Sequence, residues 1–168
     1  MSYLIRHTRP EDVPTLMDIF AEAKERMRAD GNMHQWTGTY PDASVVAHDM
    51  ERGASYVVVN EDDGTIVATF ACIVGEDPTY VHIYEGEWMD TALPYCTVHR
   101  LAARRSVSGM ARLTFDFAVT QAPSVRADTH RDNHVMQHLL EKCGFRYCGI
   151  IFLLNGDERL AYQLVMER

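Results

Sequence analysis

The residues that most clearly could take part in binding or catalysis form a turn at 104–112, between an apolar strand pattern and a helical pattern. Small residues fill most of the turn, and three arginines surround them: Arg104, Arg105 and Arg112. Backbone N–H groups cluster where a strand gives way to a helix, and the helix dipole adds partial positive charge there. Gly109 and Ala111 would let an anion approach the backbone closely. The turn therefore predicts a phosphate or pyrophosphate site, with an ordinary turn and solvated arginines as the alternative.

A histidine in the preceding strand is the second candidate for chemistry. His99 is the candidate for a general base, because histidine is the natural choice for that role near neutral pH. Strand alternation predicts that Thr97, His99 and Leu101 share one face. Asp128 stands near the end of a later strand, where its carboxylate would orient such a base. The alternatives are a hydrogen-bonded structural histidine and a turn or capping aspartate.

The hydrophobic pattern predicts the elements that position these residues. Strands are predicted at 3–7, 55–59, 65–74, 95–103, 124–129, 145–153 and 158–166. Helices are predicted from near Glu11 to Asp30, from Asp42 to near Gly53, after the turn at 106–111, and from Asp132 or Asn133 to Gly144. Residues 75–94 are acidic and aromatic without a clear period, and leave room for a short helix.

This order predicts an α/β (α+β) fold with one mixed sheet and helices on both faces. Hairpins require antiparallel pairing, and the helix between strands 95–103 and 124–129 requires a parallel crossover. No linker, repeat or charge block divides the chain, so we expect one domain over 1–168.

Two motifs in the second half of the chain carry a family resemblance. Leu101-Ala102-Ala103 ends a strand and runs into Ser106-Val107-Ser108-Gly109-Met110-Ala111. Asn133 opens a helix that finishes in Glu141-Lys142-Cys143-Gly144-Phe145. At this separation, and with this element order, the chain resembles the GNAT superfamily of acetyl-CoA-dependent N-acetyltransferases over essentially its full length.

The resemblance implies a mostly antiparallel sheet of about seven strands with a splayed central parallel pair. It implies direct transfer from acetyl-CoA to a primary amine, His99 as catalytic base and Asp128 beside it; arylalkylamine N-acetyltransferases of the superfamily place a histidine at the matching strand position. The residues implied in cofactor binding are Leu101, Ala103, Ser106, Val107, Ser108, Gly109, Met110, Ala111, Arg112, Thr129 and Asn133.

Three departures from the family pattern keep other functions open. Ser106 replaces the usual Gln or Arg, Val107 replaces a usual Gly in a loop about two residues shorter than the common form, and Leu140 stands where many members carry a tyrosine general acid. A non-catalytic acyl-CoA-binding or sensing module is therefore one alternative. An acyltransferase that uses another acyl-CoA is a second.

The acceptor is a small-molecule amine or a peptide, and the sequence does not choose between them. Aromatic residues in the least regular segments correspond to those that shape the acceptor pocket in the family: Trp36, Tyr40, Tyr84 and Trp88. The alternative for these side chains is loop packing.

Composition excludes other classes of function. The 168 residues carry a formal net charge of −8, which disfavours nucleic-acid binding. No apolar run approaches a membrane span and the N-terminus lacks an apolar signal, so we expect a cytoplasmic protein. We expect no metal site, because only His134 and His138 of the four-spaced histidines share a helix face. The exposed edge of the last hairpin is compatible with a homodimer.

Overall fold

The computed structural model describes residues 2–166, so the predicted domain limits 1–168 include three residues outside that part: Met1, Glu167 and Arg168. Its strands are β1 Tyr3–His7, β2 Ser55–Asn60, β3 Ile66–Val74, β4 Tyr95–Ala103, β5 Ser124–Thr129, β6 Arg146–Phe152 and β7 Glu158–Val165. Its α-helices are α1 Val13–Ala29, α2 Ala43–Glu51, α3 Met110–Ala118 and α4 His134–Lys142. Short 3₁₀ turns lie at Pro10–Asp12 and Pro78–Tyr80.

The seven strands form one sheet in the order β1-β2-β3-β4-β5-β7-β6. Every neighbouring pair is antiparallel except β4 and β5, which are parallel. The apolar side chains of α1 and α2 pack with Val57 on one face, and those of α3 and α4 pack with Val58 on the other. The predicted mixed sheet with helices on both faces is confirmed.

Side-chain caps fix where two of the helices begin. The carboxylate of Asp42 accepts a hydrogen bond from Val45 N at 3.1 Å, which starts α2. The side-chain oxygen of Asn133 accepts from Met136 N at 3.0 Å, which starts α4. Both bonds satisfy amides that the first helical turn leaves without an intrahelical partner. The short helix allowed in the segment 75–94 is the 3₁₀ turn, which Asp77 caps through Thr79 N.

The central parallel pair separates after three residues. β4 and β5 pair only through Tyr95, Cys96 and Thr97 with Ser124, Val125 and Arg126. Within residues 2–166 the rest of β4, to Ala103, and the rest of β5, to Thr129, have no register with each other. The backbone groups that face the gap are therefore left open for another partner. The predicted splay of this pair is confirmed.

A bulge in β4 bends the strand at the point where the pair separates. Phe70 of β3 lies opposite two residues of β4, because the register jumps from His99 to Ala102. Arg100, inside the bulge, has φ of 54°. Such a conformation costs about 1–3 kcal/mol and persists only where the surroundings enforce it. Asp49 of α2 holds the Arg100 guanidinium at 2.6–3.0 Å and thereby enforces it.

The bulge overturns the predicted alternation along β4. Leu101 packs with the apolar cluster that contains Val98, and Ala102 packs with the α1 and α2 side chains on the other face. An extra residue in a strand shifts every later side chain to the opposite face. The expectation that Thr97, His99 and Leu101 share a face is therefore wrong at Leu101.

The outer edge of β6 is partly covered by the chain itself. Tyr84 and Ile150 exchange two backbone hydrogen bonds of 2.8 Å. A Cβ at residue 86 would collide with the carbonyl of Cys148, so Gly86 allows this close approach. The edge that suggested a homodimer is thus not free along its length, and the homodimer stays a prediction.

Candidate active site

A cavity of about 590 Å³ opens between the separated ends of β4 and β5. The two strands, the start of α4, the loop after α1 and the β6–β7 hairpin all contribute to its wall. The sequence-predicted site residues that line it are Trp36, Tyr40, His99, Leu101, Asp128, Thr129 and Asn133.

His99 lies between two carboxylates on this wall. Its Nε2 is 3.1 Å from Oδ2 of Asp77, which is a hydrogen-bond distance, and its Nδ1 is 3.9 Å from Oδ2 of Asp128, which is not. An ionised carboxylate only accepts, so the bond to Asp77 assigns the ring proton to Nε2. Nδ1 then keeps its lone pair and is the atom able to take up a proton.

Asp77 holds the imidazole ring from the side away from Asp128. Burial raises the pKa of Asp77, but hydrogen bonds from His99 and from the hydroxyl and amide of Thr79 outweigh it and bring the pKa to about 2. The carboxylate is therefore ionised at neutral pH. It fixes both the orientation and the tautomer of His99.

Asp128 is held in turn by a buried tyrosine. The hydroxyl of Tyr80 donates to Oδ2 of Asp128 at 2.6 Å, and Trp88 Nε1 donates to the Tyr80 carbonyl at 3.0 Å. Burial, and then the charge of Asp128, raise the pKa of Tyr80 well above its usual value, so the hydroxyl stays protonated. The structure thus brings together His99 and Asp128, the two residues expected from the sequence to be catalytic.

The turn before α3 presents backbone amides in a cluster. Gly109 precedes the helix with φ of 79°, and the first intrahelical bond runs from Leu113 N to the Gly109 carbonyl at 3.1 Å. The amides of Met110, Ala111 and Arg112 therefore come before the helical ladder and are directed outward from the helix N-terminus. This is the arrangement that binds phosphate groups at helix N-termini.

Other groups of the turn are already engaged by the protein. Val107 N donates to the Arg104 carbonyl at 3.3 Å, and the Arg104 side chain pairs with Glu22 of α1 at 3.2 Å. Glu22 also accepts from the backbone amide of Arg105 at 2.6 Å. The guanidinium of Arg112 donates to the Lys142 carbonyl at 3.0 Å. The positive charge that the sequence places at the turn is thus partly committed to α1 and α4.

The remaining predicted cofactor-binding residues differ in what they offer. Ser106 and Ser108 are exposed on the turn, whereas the carbonyl of Ala103 accepts from Arg26 at 2.6 Å. Asn133 caps α4 and donates to the Gln35 side chain at 2.9 Å, so both ends of its amide are used. The hydroxyl of Thr129 is buried and has no hydrogen-bond partner within the described part of the chain.

Two of the four predicted acceptor-pocket aromatics lie at the cavity and two do not. Trp36 and Tyr40 line it, and the Tyr40 hydroxyl accepts from Arg100 at 3.0 Å. Trp88 is buried beneath the sheet surface, where the Arg126 guanidinium lies 4.0 Å from its ring centroid. Tyr84 packs edge-on against Phe152 beside β6. The irregular segment that carries Tyr84 and Trp88 packs on β6 and β7, so it does not bring them to the cavity.

Leu140 is fully buried and lines the cavity. It occupies the position where the family resemblance implies a tyrosine, and it offers only hydrocarbon. The cavity wall therefore has no proton donor at this point of α4.

Several functional residues were missed by sequence reasoning. Asp77, Tyr80 and Arg100 all shape the surroundings of His99, yet the first two fall in the segment without a clear period. The signal for Asp77 was local: Asp77-Pro78-Thr79 is an aspartate cap followed by proline at the first helical position. Nothing local marks Arg100, whose conformation depends on Asp49 far away in sequence.

Two further features are absent from residues 2–166. No group of three or more His, Cys, Asp and Glu side chains is placed to hold a metal ion. None of the helices described has the length and apolar character needed to span a membrane.

Comparison with solved structures places this fold among the acetyltransferases. A GNAT-family acetyltransferase from Streptococcus agalactiae 2603 is 31% identical, with a TM-score of 0.88 over 99% of this chain and 96% of that chain. A GNAT-family acetyltransferase from Listeria monocytogenes 4b F2365 is 18% identical, with a TM-score of 0.70 over 98% and 95%. A ribosomal-protein-alanine N-acetyltransferase from Brucella melitensis shares the fold at 16% identity and a TM-score of 0.61, over 97% and 99%.

The chain belongs to the GNAT family of acetyltransferases. The resemblance inferred from the two motifs is confirmed, and so is the expectation of an enzyme of this type. Comparison with protein-family models and with curated proteins gives no match.

Proposed function

We propose that this enzyme transfers the acetyl group of acetyl-CoA to a primary amine, by direct attack within a ternary complex. The observation that carries the proposal is the gap between β4 and β5, which opens onto a histidine held between two carboxylates. Open strand edges and a base with a free lone pair are what amide recognition and amine deprotonation require.

Three features of the chain fit the parts of acetyl-CoA. The amides of Met110, Ala111 and Arg112 suit the diphosphate, because they point outward from the α3 N-terminus. The unpaired backbone of β4 beyond Thr97 and the orphaned hydroxyl of Thr129 suit the amide groups of the pantetheine arm. A buried hydroxyl without a partner costs free energy, which a bound amide would recover.

The chain's own residues would prepare the amine. When bound, acetyl-CoA supplies a thioester carbonyl as the electrophile. Nδ1 of His99 takes the proton from the acceptor ammonium, and Asp77 and Asp128 then stabilise the charged imidazole. Trp36 and Tyr40 border the space that the acceptor would occupy.

Two observations favour a second candidate, a module that binds acyl-CoA without turnover. Leu140 removes the hydroxyl that would protonate the leaving thiolate, and Val107 N is used within the turn. Binding of the cofactor does not need the first group, whereas turnover does benefit from it.

Release of free thiol separates the two candidates. The purified chain is incubated with acetyl-CoA and a panel of primary amines, and free CoA is followed over time. We expect acetyl-CoA to bind by calorimetry and CoA to be released with at least one amine. Binding of acetyl-CoA without release of CoA for every amine would support the sensor. If CoA is released only when another acyl-CoA replaces acetyl-CoA, that acyl-CoA is the donor. Absence of binding would contradict both.

A further inference from the structure

Arg159 is an arginine at the cavity that the proposed chemistry does not use. It is the second residue of β7, is 7% exposed and lines the cavity. Ala161 pairs with Asp128 of β5, so Arg159 is the diagonal neighbour of Asp128, and alternation puts both side chains on one face of the sheet. Diagonal neighbours have Cα atoms roughly 7–8 Å apart.

The guanidinium of Arg159 has no acidic partner in the part of the chain described here. None of the ion pairs within 4.0 Å includes it. Its hydrogen bond runs from Nη1 to the carbonyl of the preceding residue, Glu158, at 2.8 Å. The Glu158 carboxylate itself is taken by Arg131.

The other charged side chains of the cavity are occupied. Arg100 is held by Asp49, Asp77 by His99 and Asp128 by Tyr80. Asp157, the acid nearest in sequence on the cavity wall, accepts from the side-chain amide of Asn155 at 3.2 Å. Arg159 is therefore the charged side chain of the cavity wall whose charge is not balanced by a described partner. This is unusual, because burying a charge is costly unless an opposite charge accompanies it.

The positive charge of Arg159 affects the pKa of a neighbouring histidine. Burial first, and then the charge of Arg159, lower the pKa of His130 below its usual value. The His34 ring lies 6.3 Å from the His130 ring and also lines the cavity. Asp132, whose carboxylate lies 3.7 Å from His130, and Asp157 act on the pKa of His130 in the opposite direction, so the buried guanidinium of Arg159 lies in a corner that also carries two aspartates.

We propose that Arg159 binds a carboxylate of the acceptor, and that the acceptor is a small amino acid. This inference rests on the proposed function, because it places the acceptor ammonium beside His99 and its carboxylate at Arg159, the diagonal neighbour of Asp128. The planar guanidinium suits a carboxylate, which it binds through two parallel hydrogen bonds. The short spacing favours a compact molecule that carries both charges.

Matched acceptors test this directly. CoA release is measured for free L-amino acids and for the corresponding amino-acid amides, which have the same shape without the negative charge. Each series is measured with the unmodified chain, with Arg159→Gln, and with Arg146→Gln as control. Arg146 is an exposed arginine outside the cavity. The ratio of kcat/KM for acid to amide, compared between variants, cancels the different basicities of the two amines.

We expect the unmodified chain to prefer one or more free amino acids. Arg159→Gln should lower the acid-to-amide ratio about 10- to 100-fold, as loss of a charge-assisted hydrogen bond predicts, and Arg146→Gln should leave it unchanged. Equal kcat/KM values for acids and amides with the unmodified chain, each expressed per deprotonated amine, would overturn the inference, and this comparison does not depend on the variant folding. So would a ratio that Arg159→Gln leaves unchanged.

Failure of the proposed function gives a different result. In that case no amine of the panel releases CoA from acetyl-CoA, and the inference falls with the function. Release with other amines but with neither series contradicts the inference alone. Release that ignores the carboxylate contradicts the role of Arg159 alone.

Discussion

At the scale of single residues, the chemistry depends on how His99 is held. Asp77 fixes Nε2 at 3.1 Å and leaves Nδ1 without a hydrogen-bond partner at normal distance. Asp128, positioned by Tyr80, is close enough to stabilise a charged imidazole without occupying its lone pair.

Removal of this base should slow turnover. We expect His99→Ala to lower kcat about 100-fold or more at neutral pH, because general-base assistance typically contributes that much. The rate of thiol release with an accepted amine measures it, and His82→Ala, at an exposed position, is the control. An unchanged rate for His99→Ala would remove this residue from the mechanism.

The pKa of Asp77 predicts how stability responds to acid. It is about 2 in the folded chain, below the ordinary value of about 3.9. The folded state therefore favours the ionised form, and the resulting stabilisation, about 2 kcal/mol, is full above pH 4 and is lost as the pH falls towards 2.

Urea unfolding between pH 5 and pH 2.5 measures this contribution. Asp77→Asn lacks the ionising group, so its free energy of unfolding should fall less with acid than that of the unmodified chain. Asp62→Asn, in an exposed turn, should follow the unmodified chain. Parallel pH profiles for Asp77→Asn and the unmodified chain would contradict the assignment.

The orphaned hydroxyl of Thr129 makes a further prediction at this scale. Thr129→Val should leave the free energy of unfolding unchanged or slightly higher, because it replaces a buried hydroxyl that has no partner in the described chain. It should weaken acetyl-CoA binding about 2- to 10-fold, as loss of one hydrogen bond predicts.

Calorimetry measures the unfolding and the acetyl-CoA binding of Thr129→Val, and a second valine variant serves as the matched control. The hydroxyl of Thr114 is also buried and without a partner among the described residues, but Thr114 does not line the cavity. Thr114→Val should therefore leave acetyl-CoA affinity intact. Equal affinities for the two valine variants would show that Thr129 does not contact the cofactor.

At the scale of elements, the start of α3 and the bulge in β4 have different roles in the site. In the proposed function the first would offer amides to a diphosphate, and the second bends β4 away from β5. Arg100 connects the bulge to α2 through Asp49, so the packing of a remote helix maintains the opening beside His99.

The α3 turn gives an electrostatic prediction. Gly109 has a positive φ, which asparagine and aspartate tolerate better than other side chains. Gly109→Asp should abolish measurable CoA binding by calorimetry, because it sets a negative charge beside the diphosphate, whereas Gly109→Asn of the same shape should bind more tightly than the aspartate variant. If CoA affinity survives in Gly109→Asp, the diphosphate lies elsewhere.

The elements were predictable from sequence where periodicity and caps are local. The strands β1, β4 and β5 have the predicted limits, and Asp42 and Asn133 cap α2 and α4 as their residue types suggest. The alternation along β4 was not predictable, because the bulge depends on Arg100 meeting Asp49 across the fold. A period-two pattern carries no signal of such a distant ion pair.

At the scale of the whole molecule, the site could be predicted only in part. The predicted order of elements placed His99 and Asp128 on the two strands that border the gap, and the structure brings both to the cavity wall. The surroundings supplied by residues 75–94 and by the β6–β7 hairpin were not predicted, since irregular segments have no period. Asp77 and Arg159 both come from these parts.

The central claim is that the gap between β4 and β5 receives the pantetheine arm of acetyl-CoA, and a crystal structure of the chain grown with CoA tests it most directly. We predict density for the diphosphate at the amides of 110–112 and for the pantetheine arm along β4 beyond Thr97, next to Thr129. A structure in which β4 and β5 pair along their full length, or in which CoA binds elsewhere, would contradict the account.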